Sequence, residues 1–62
     1  MTKFIVNYHI YEDGVKTHKS KSVSFKWYEF ITSSRVLKRF FEDLDEEYPV
    51  FCSDIDSINL IL

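Results

Sequence analysis

Residues 3–14 read KFIVNYHIYEDG, and how they are read decides the fold. Phe4, Val6, Tyr8 and Ile10 alternate with Ile5, Asn7, His9 and Tyr11, a period of two that gives an extended strand one more apolar face. Glu12, Asp13 and Gly14 follow. Gly14, the single glycine, takes positive φ without a Cβ clash, as the end of a three-residue hairpin loop requires. A second strand, about Val15 to Trp27, then returns antiparallel. Its first half, KTHKSK (16–21), is polar on both faces, and apolar alternation begins only at Val23, Phe25 and Trp27. The hairpin tip is therefore expected to project into solvent, with Phe25 and Trp27 in the core.

Downstream, TSSRVLKRFFEDLDEEYP (32–49) has the other periodicity. Val36, Leu37, Phe40, Phe41, Leu44 and Tyr48 fall within about 140° of arc at ~100° per residue, the apolar stripe of a helix. Ser33 or Ser34 can cap its start, and Pro49 bars its continuation. The residues YEFI (28–31) fit either the end of the strand or the opening of the helix. At the other end of the chain, Ile58, Leu60 and Leu62 alternate with Ser57, Asn59 and Ile61, the pattern of a third strand. The expected order is ββαβ, a single α+β domain over residues 1–62 with a three-stranded antiparallel sheet and one helix on one face. That arrangement leaves the second sheet face uncovered, with Ile5, Tyr11 and Ile61 as candidates to lie on it and a homodimer as a possible consequence.

Sixty-two residues lie near the lower limit for a core without disulfides or metal. The lone Cys52 cannot form an internal disulfide and is expected as a small buried hydrophobe in a reducing compartment. No apolar run reaches the ~18 residues that span a bilayer, so the chain is expected to be cytoplasmic and to act away from membranes.

The net charge of −2 conceals a division along the chain. Residues 1–39 hold all eight Lys and Arg against three acids, while residues 40–62 hold seven acids and no base. The expected helix carries Arg35, Lys38 and Arg39 early and Glu42, Asp43, Asp45, Glu46 and Glu47 late, the reverse of what the helix dipole favours. Lys38–Glu42 and Arg39–Asp43 at i,i+4 offset this by only about 0.2–0.5 kcal/mol each. Folding alone does not account for the acids, which points to a role in binding.

Candidates for catalysis are absent: the sequence has no phosphate-binding glycine loop, no CxxC and no nucleophile with a recognisable base. No enzyme activity and no cofactor are expected. His9 and His18, on neighbouring strands, are too few for a tetrahedral metal site and are expected as exposed strand residues. Two binding surfaces remain. Glu42, Asp43, Asp45, Glu46, Glu47, Asp54 and Asp56 can form one negative ridge if the third strand lies beside the helix end, a shape suited to a cleft built for nucleic acid. Alternatively, Lys16, Lys19, Lys21 and Lys26 flank Tyr8, Tyr11, Phe25 and Trp27 on the hairpin, a basic and aromatic combination suited to phosphates and bases.

Asp56, Ser57 and Ile58, followed by NLIL, are similar to the acid-Ser-Ile stretch that leads into an apolar strand in some uracil-DNA glycosylase inhibitors, with Asp in place of Glu. More broadly, the chain resembles the small phage proteins, anti-CRISPR proteins among them, that disable host nucleic-acid enzymes. The resemblance implies a non-catalytic inhibitor that mimics nucleic acid and binds a protein with a basic nucleic-acid-binding surface, with Asp56 and Ser57 engaging that cleft. The alternative is a small nucleic-acid-binding or regulatory module acting through the lysine hairpin, or an assembly protein.

Overall fold

The computed structural model describes residues 1–61. Strand β1 (Thr2–Glu12) pairs along its whole length with β2 (Val15–Phe25), helix α1 (Ser33–Asp43) follows, and a short 3-10 turn (Cys52–Asp54) leads into β3 (Ile55–Ile61). The sheet is antiparallel in the order β2-β1-β3, so β1 is its central strand. This is the expected ββαβ architecture. Leu62, counted in the third-strand alternation, lies outside the described residues.

The hairpin turns more tightly than expected. Glu12 pairs with Val15, leaving a two-residue loop of Asp13 (φ 50) and Gly14 (φ 79). Two consecutive positive φ values match the primed turn that suits the right-handed twist of a hairpin, and Asp tolerates the left-handed region better than most residues. Extending the ladder by this extra pair lengthens the arm, and the molecule measures 41 × 21 × 17 Å.

Val6, Tyr8 and Ile10 of β1, Val23 and Phe25 of β2, and Val36 and Phe40 of α1 form the buried core. The Tyr8 and Phe40 rings meet at 5.1 Å and the Phe4 and Phe25 rings at 6.0 Å, both edge to face. Trp27 does not join them. The strand ends at Phe25, and Trp27 is 88% exposed. Residues 28–31 belong neither to the strand nor to the helix.

Helix α1 starts with Thr32 as its cap, one residue before the expected serines; the Thr32 hydroxyl accepts from Arg35 N–H at 3.2 Å. It ends at Asp43, and Leu44 is already extended. Asp45, Glu46 and Glu47 are therefore not helical, and Pro49 is not the residue that stops the helix. The unfavourable charge order accounts for this: with no base in the last turn, each further acid on the helix would meet the negative end of the dipole. The apolar stripe is still used, because Leu44, Tyr48 and Val50 pack on the core from an extended segment.

Ile5, Tyr11 and Ile61 do lie on the face away from the helix. Registered beside them are Ser20, Ser22 and Ser24 of β2 and Ser57 and Asn59 of β3, so the apolar residues are interrupted by hydroxyl and amide groups. Cys52, expected in the core, is exposed on the 3-10 turn. Among the described residues, no helix is long and apolar enough to cross a membrane.

These placements separate two large aromatics. Phe40→Ala, which empties a fully buried site, is expected to cost about 3–5 kcal/mol, whereas Trp27→Ala should change stability by less than about 0.5 kcal/mol. Urea unfolding followed by far-ultraviolet circular dichroism measures both.

Candidate functional site

The seven carboxylates do not form one ridge, because folding uses three of them. Glu46 accepts from the Tyr8 hydroxyl at 2.8 Å and forms an ion pair with Lys19 at 3.1 Å. The hydrogen bond from Tyr8, followed by that from Lys19, holds its carboxyl below the usual range. In turn, burial and then the neighbouring Glu46 push the Tyr8 phenol up to about 12. Once the helix has ended, Glu46 is free to turn inward and tie the 44–51 segment to both hairpin strands.

Asp54 and Asp56 converge on His9. β3 carries a bulge: Asn7 faces Ser57 while Tyr8 faces Ile55, which leaves Asp56 as the extra residue. Asp56 meets His9 Nδ1 at 3.0 Å and His18 Nδ1 at 3.5 Å, and Asp54 meets His9 Nε2 at 3.4 Å. Burial raises the Asp56 carboxyl, but its bonds with the two histidines outweigh that and hold it low. His9 is thus a buried partner of carboxylates at 9% exposure, where exposure was expected; His18 is exposed as expected. Asp54 also accepts from Phe51 N–H at 2.9 Å, closing the 3-10 turn. Ser57 Oγ accepts from Asn7 at 2.9 Å and Asn59 at 3.1 Å. Among the described residues, no group of three or more His, Cys, Asp or Glu is arranged to hold a metal ion.

Four acids remain. Glu42 and Asp43 in the last turn of α1, with Asp45 and Glu47 just beyond it, are exposed, and none of them makes an ion pair among the described residues. The expected Lys38–Glu42 and Arg39–Asp43 pairs do not form, and Arg39 is taken by Glu29 instead.

The lysines are divided as well. Lys19 is neutralised by Glu46, Lys21 is half-buried on the same strand, and Lys16 is exposed near the turn. Of the aromatics assigned to that surface, Tyr8 and Phe25 are buried, while Tyr11 and Trp27 are exposed. Lys26 belongs elsewhere, in the connection from β2 to α1, with its ammonium 5.8 Å from the centre of the Tyr28 ring.

That connection is the most prominent surface feature. Glu29 N–H donates to Lys26 O at 3.0 Å, closing a turn with Trp27 and Tyr28 at its tip. Trp27, Tyr28 and Phe30 are 88%, 63% and 76% exposed, and the Trp27 and Tyr28 rings stand edge to face at 5.6 Å. The loop is held from beneath. Arg39 donates to both Glu29 oxygens, at 2.7 and 3.2 Å, and to Ser24 O at 2.7 Å. Glu29 also accepts from Lys26 N–H at 2.6 Å, and Arg35 donates to Phe30 O at 3.0 Å. The bond from Arg39, followed by that from Lys26 N–H, lowers the Glu29 carboxyl to about 2. The same pairing raises the Arg39 guanidinium above its ordinary value.

Sequence reasoning did not find this surface, because alternation at Phe25 extrapolates inward to Trp27 and the helical stripe extrapolates back to Phe30. The available signal was that YEFI (28–31) could be assigned to either element and was fixed by neither. Compared with family models, curated proteins and solved structures, the chain matches none.

Two pH limits follow from these contacts. Glu29 stabilises the loop fully above its ordinary value of 4.5, and that contribution is lost as pH falls through about 2. An acid titration of Trp27 fluorescence should show the loop loosening over that range, and Glu29→Gln should remove the step. Tyr8 behaves in the opposite sense. Its contribution is complete below 10.0 and is lost as pH rises through about 12, so Tyr8→Phe should flatten the alkaline fall in thermal stability.

Proposed function

We propose that this chain is a small non-catalytic binding protein whose principal contact surface is the braced loop carrying Trp27, Tyr28 and Phe30. One observation carries the reading: three large rings are exposed on one short connection, braced by five hydrogen bonds in which Arg35 and Arg39 donate and Glu29 accepts from Arg39 and from Lys26 N–H. Exposed apolar surface opposes folding by roughly 25 cal/mol per Å² relative to burying it, so the arrangement does little for the free domain. Aromatic anchors on a fixed backbone are what binding favours, since they add contact area while losing little conformational entropy.

A second reading is favoured by the four acids that folding leaves unpaired. Glu42, Asp43, Asp45 and Glu47 suit a protein inhibitor that lays a negative surface against the basic, nucleic-acid-binding cleft of its target. Asp56 and Ser57, which the likeness to uracil-DNA glycosylase inhibitors would place in that cleft, are already engaged within the fold. The acidic end lies at the opposite end of α1 from the aromatic loop, roughly 15 Å away by the helix rise.

Binding by the immobilised chain to host-cell extract separates the two readings. Trp27→Ala with Phe30→Ala is expected to abolish capture while the thermal midpoint stays within a few degrees. Undiminished capture by that variant would overturn the leading reading. Loss confined to a variant with Glu42, Asp43, Asp45 and Glu47 changed to Lys would assign the contact to the acidic end.

A further inference from the structure

We infer that the occupant of the braced aromatic loop is single-stranded nucleic acid, an inference that rests on the reading of this loop as the contact surface. From Val15 to Phe41 the chain has seven Lys and Arg and one acid, Glu29, and Glu29 is consumed by Arg39 at 2.7 Å. The loop segment itself therefore contributes no free carboxylate, and the first acid beyond it, Glu42, lines the cleft formed by Phe25, Arg35, Lys38 and Arg39. Lys26 beside Tyr28 and Arg35 beside Phe30 are exposed, as is Lys38 one helical turn further on. Arg35 reaches the carbonyl of Phe30 with one guanidinium nitrogen and keeps its remaining donors for a ligand. A partner of this surface must be anionic and must present flat apolar faces, and a nucleic-acid strand does both.

Geometry favours a single strand over a duplex. Stacking requires bases whose faces are free, and in a duplex those faces are covered by the neighbouring pairs. At the tip of the turn, Trp27 and Tyr28 are 88° apart in plane. An edge contact of this kind occupies one face of one ring and leaves the other faces available. Beside Tyr28 a cleft of about 310 Å³ opens, lined by Met1, Ser24, Phe25, Lys26, Tyr28 and the Glu29–Arg39 pair. It offers a splayed base an aromatic ring, an exposed ammonium and hydrogen-bonding groups fixed by the Glu29–Arg39 pair. The brace supplies preorganisation: because Arg39 and Arg35 hold the loop backbone in the unbound molecule, little ordering cost remains on binding.

This surface is distinct from the lysine hairpin. Lys19 is spent on Glu46, and the aromatics beside it on that strand pair, Tyr8 and Phe25, are buried. Of the hairpin lysines, Lys16 and Lys21 remain, which provides an internal control.

The test uses the full chain with fluorescein-labelled oligothymidylate of about ten nucleotides, in the range of known single-strand sites, read by anisotropy at low salt. Trp27 is the only tryptophan, so quenching of its emission reports stacking at that ring. Three phosphate contacts predict a slope of log affinity against log salt of about −2. Trp27→Ala and Phe30→Ala should each weaken binding by roughly 5- to 150-fold. Lys26, Arg35 and Lys38 changed together to Gln should flatten the salt slope, and Lys16→Gln with Lys21→Gln should leave it unchanged. No anisotropy change at low salt overturns the inference, as does binding that leaves Trp27 emission unquenched. Equal binding of a duplex, or binding only to anionic lipid vesicles, also overturns it. If oligothymidylate fails while loop-dependent capture of a protein persists from nuclease-treated extract, this inference falls and the reading of the loop as the contact surface stands.

Discussion

Everything in this molecule is organised around the two-sided pairing of β1. As the central strand it pairs with β2 along its whole length and with β3 from Lys3 to Tyr8, and its two faces do different work. Val6, Tyr8 and Ile10 provide three of the seven buried apolar residues on the helix side. His9, on the other side, receives the carboxylates that hold the 3-10 turn and β3 in place. In a domain this small there is no second core to compensate, so a break in β1 would release the helix and the third strand together.

The acidic half of the chain shows how folding sorts like charges. A continuous helix through Tyr48 would have aligned five acids against its own dipole. Ending it at Asp43 costs the backbone bonds of one further turn but frees Glu46 to reach Tyr8 and Lys19. The bulge on β3 does something comparable for Asp56, turning an edge residue toward two histidines. What remains exposed is a smaller group, Glu42, Asp43, Asp45 and Glu47, whose positions are not explained by any contact within the fold.

Much of the architecture was legible in the residues. Period two over 4–11 and period 3.6 over 36–44 are set by local burial, and local burial survives into the tertiary structure. The errors fall where a period was carried past its element. Trp27 continues the β2 alternation on paper, but the turn closed between Lys26 and Glu29 takes it out of the sheet. His9 lies on the polar face of its strand, and its burial depends on a bulge nearly fifty residues away that no local pattern reports. The acids were visible as a composition, whereas their division into spent and free groups needed the partners Tyr8, Lys19 and His9. The Arg39–Asp43 pair expected on the helix lost to Glu29, which offers Arg39 two oxygens in a fork geometry that a flexible neighbour on an exposed helix does not match.

The Glu29–Arg39 pair also links the core to the exposed aromatic loop. Arg39 stacks on the buried Phe25 ring at 4.4 Å, so the guanidinium that braces the aromatic loop is itself fixed by the core. A loop of three exposed rings with no such brace would be expected to collapse inward, covering its apolar surface with its own side chains. Instead the carbonyls of Ser24 and Phe30 and the carboxylate of Glu29 are all held by arginines of one helix. The charge order that makes α1 a poor helix is what makes this possible: Arg35 and Arg39, in its first two turns, reach the loop, while most of the acids follow at its far end. The helix gives up local stability, and in return two of its arginines brace the aromatic end of the molecule.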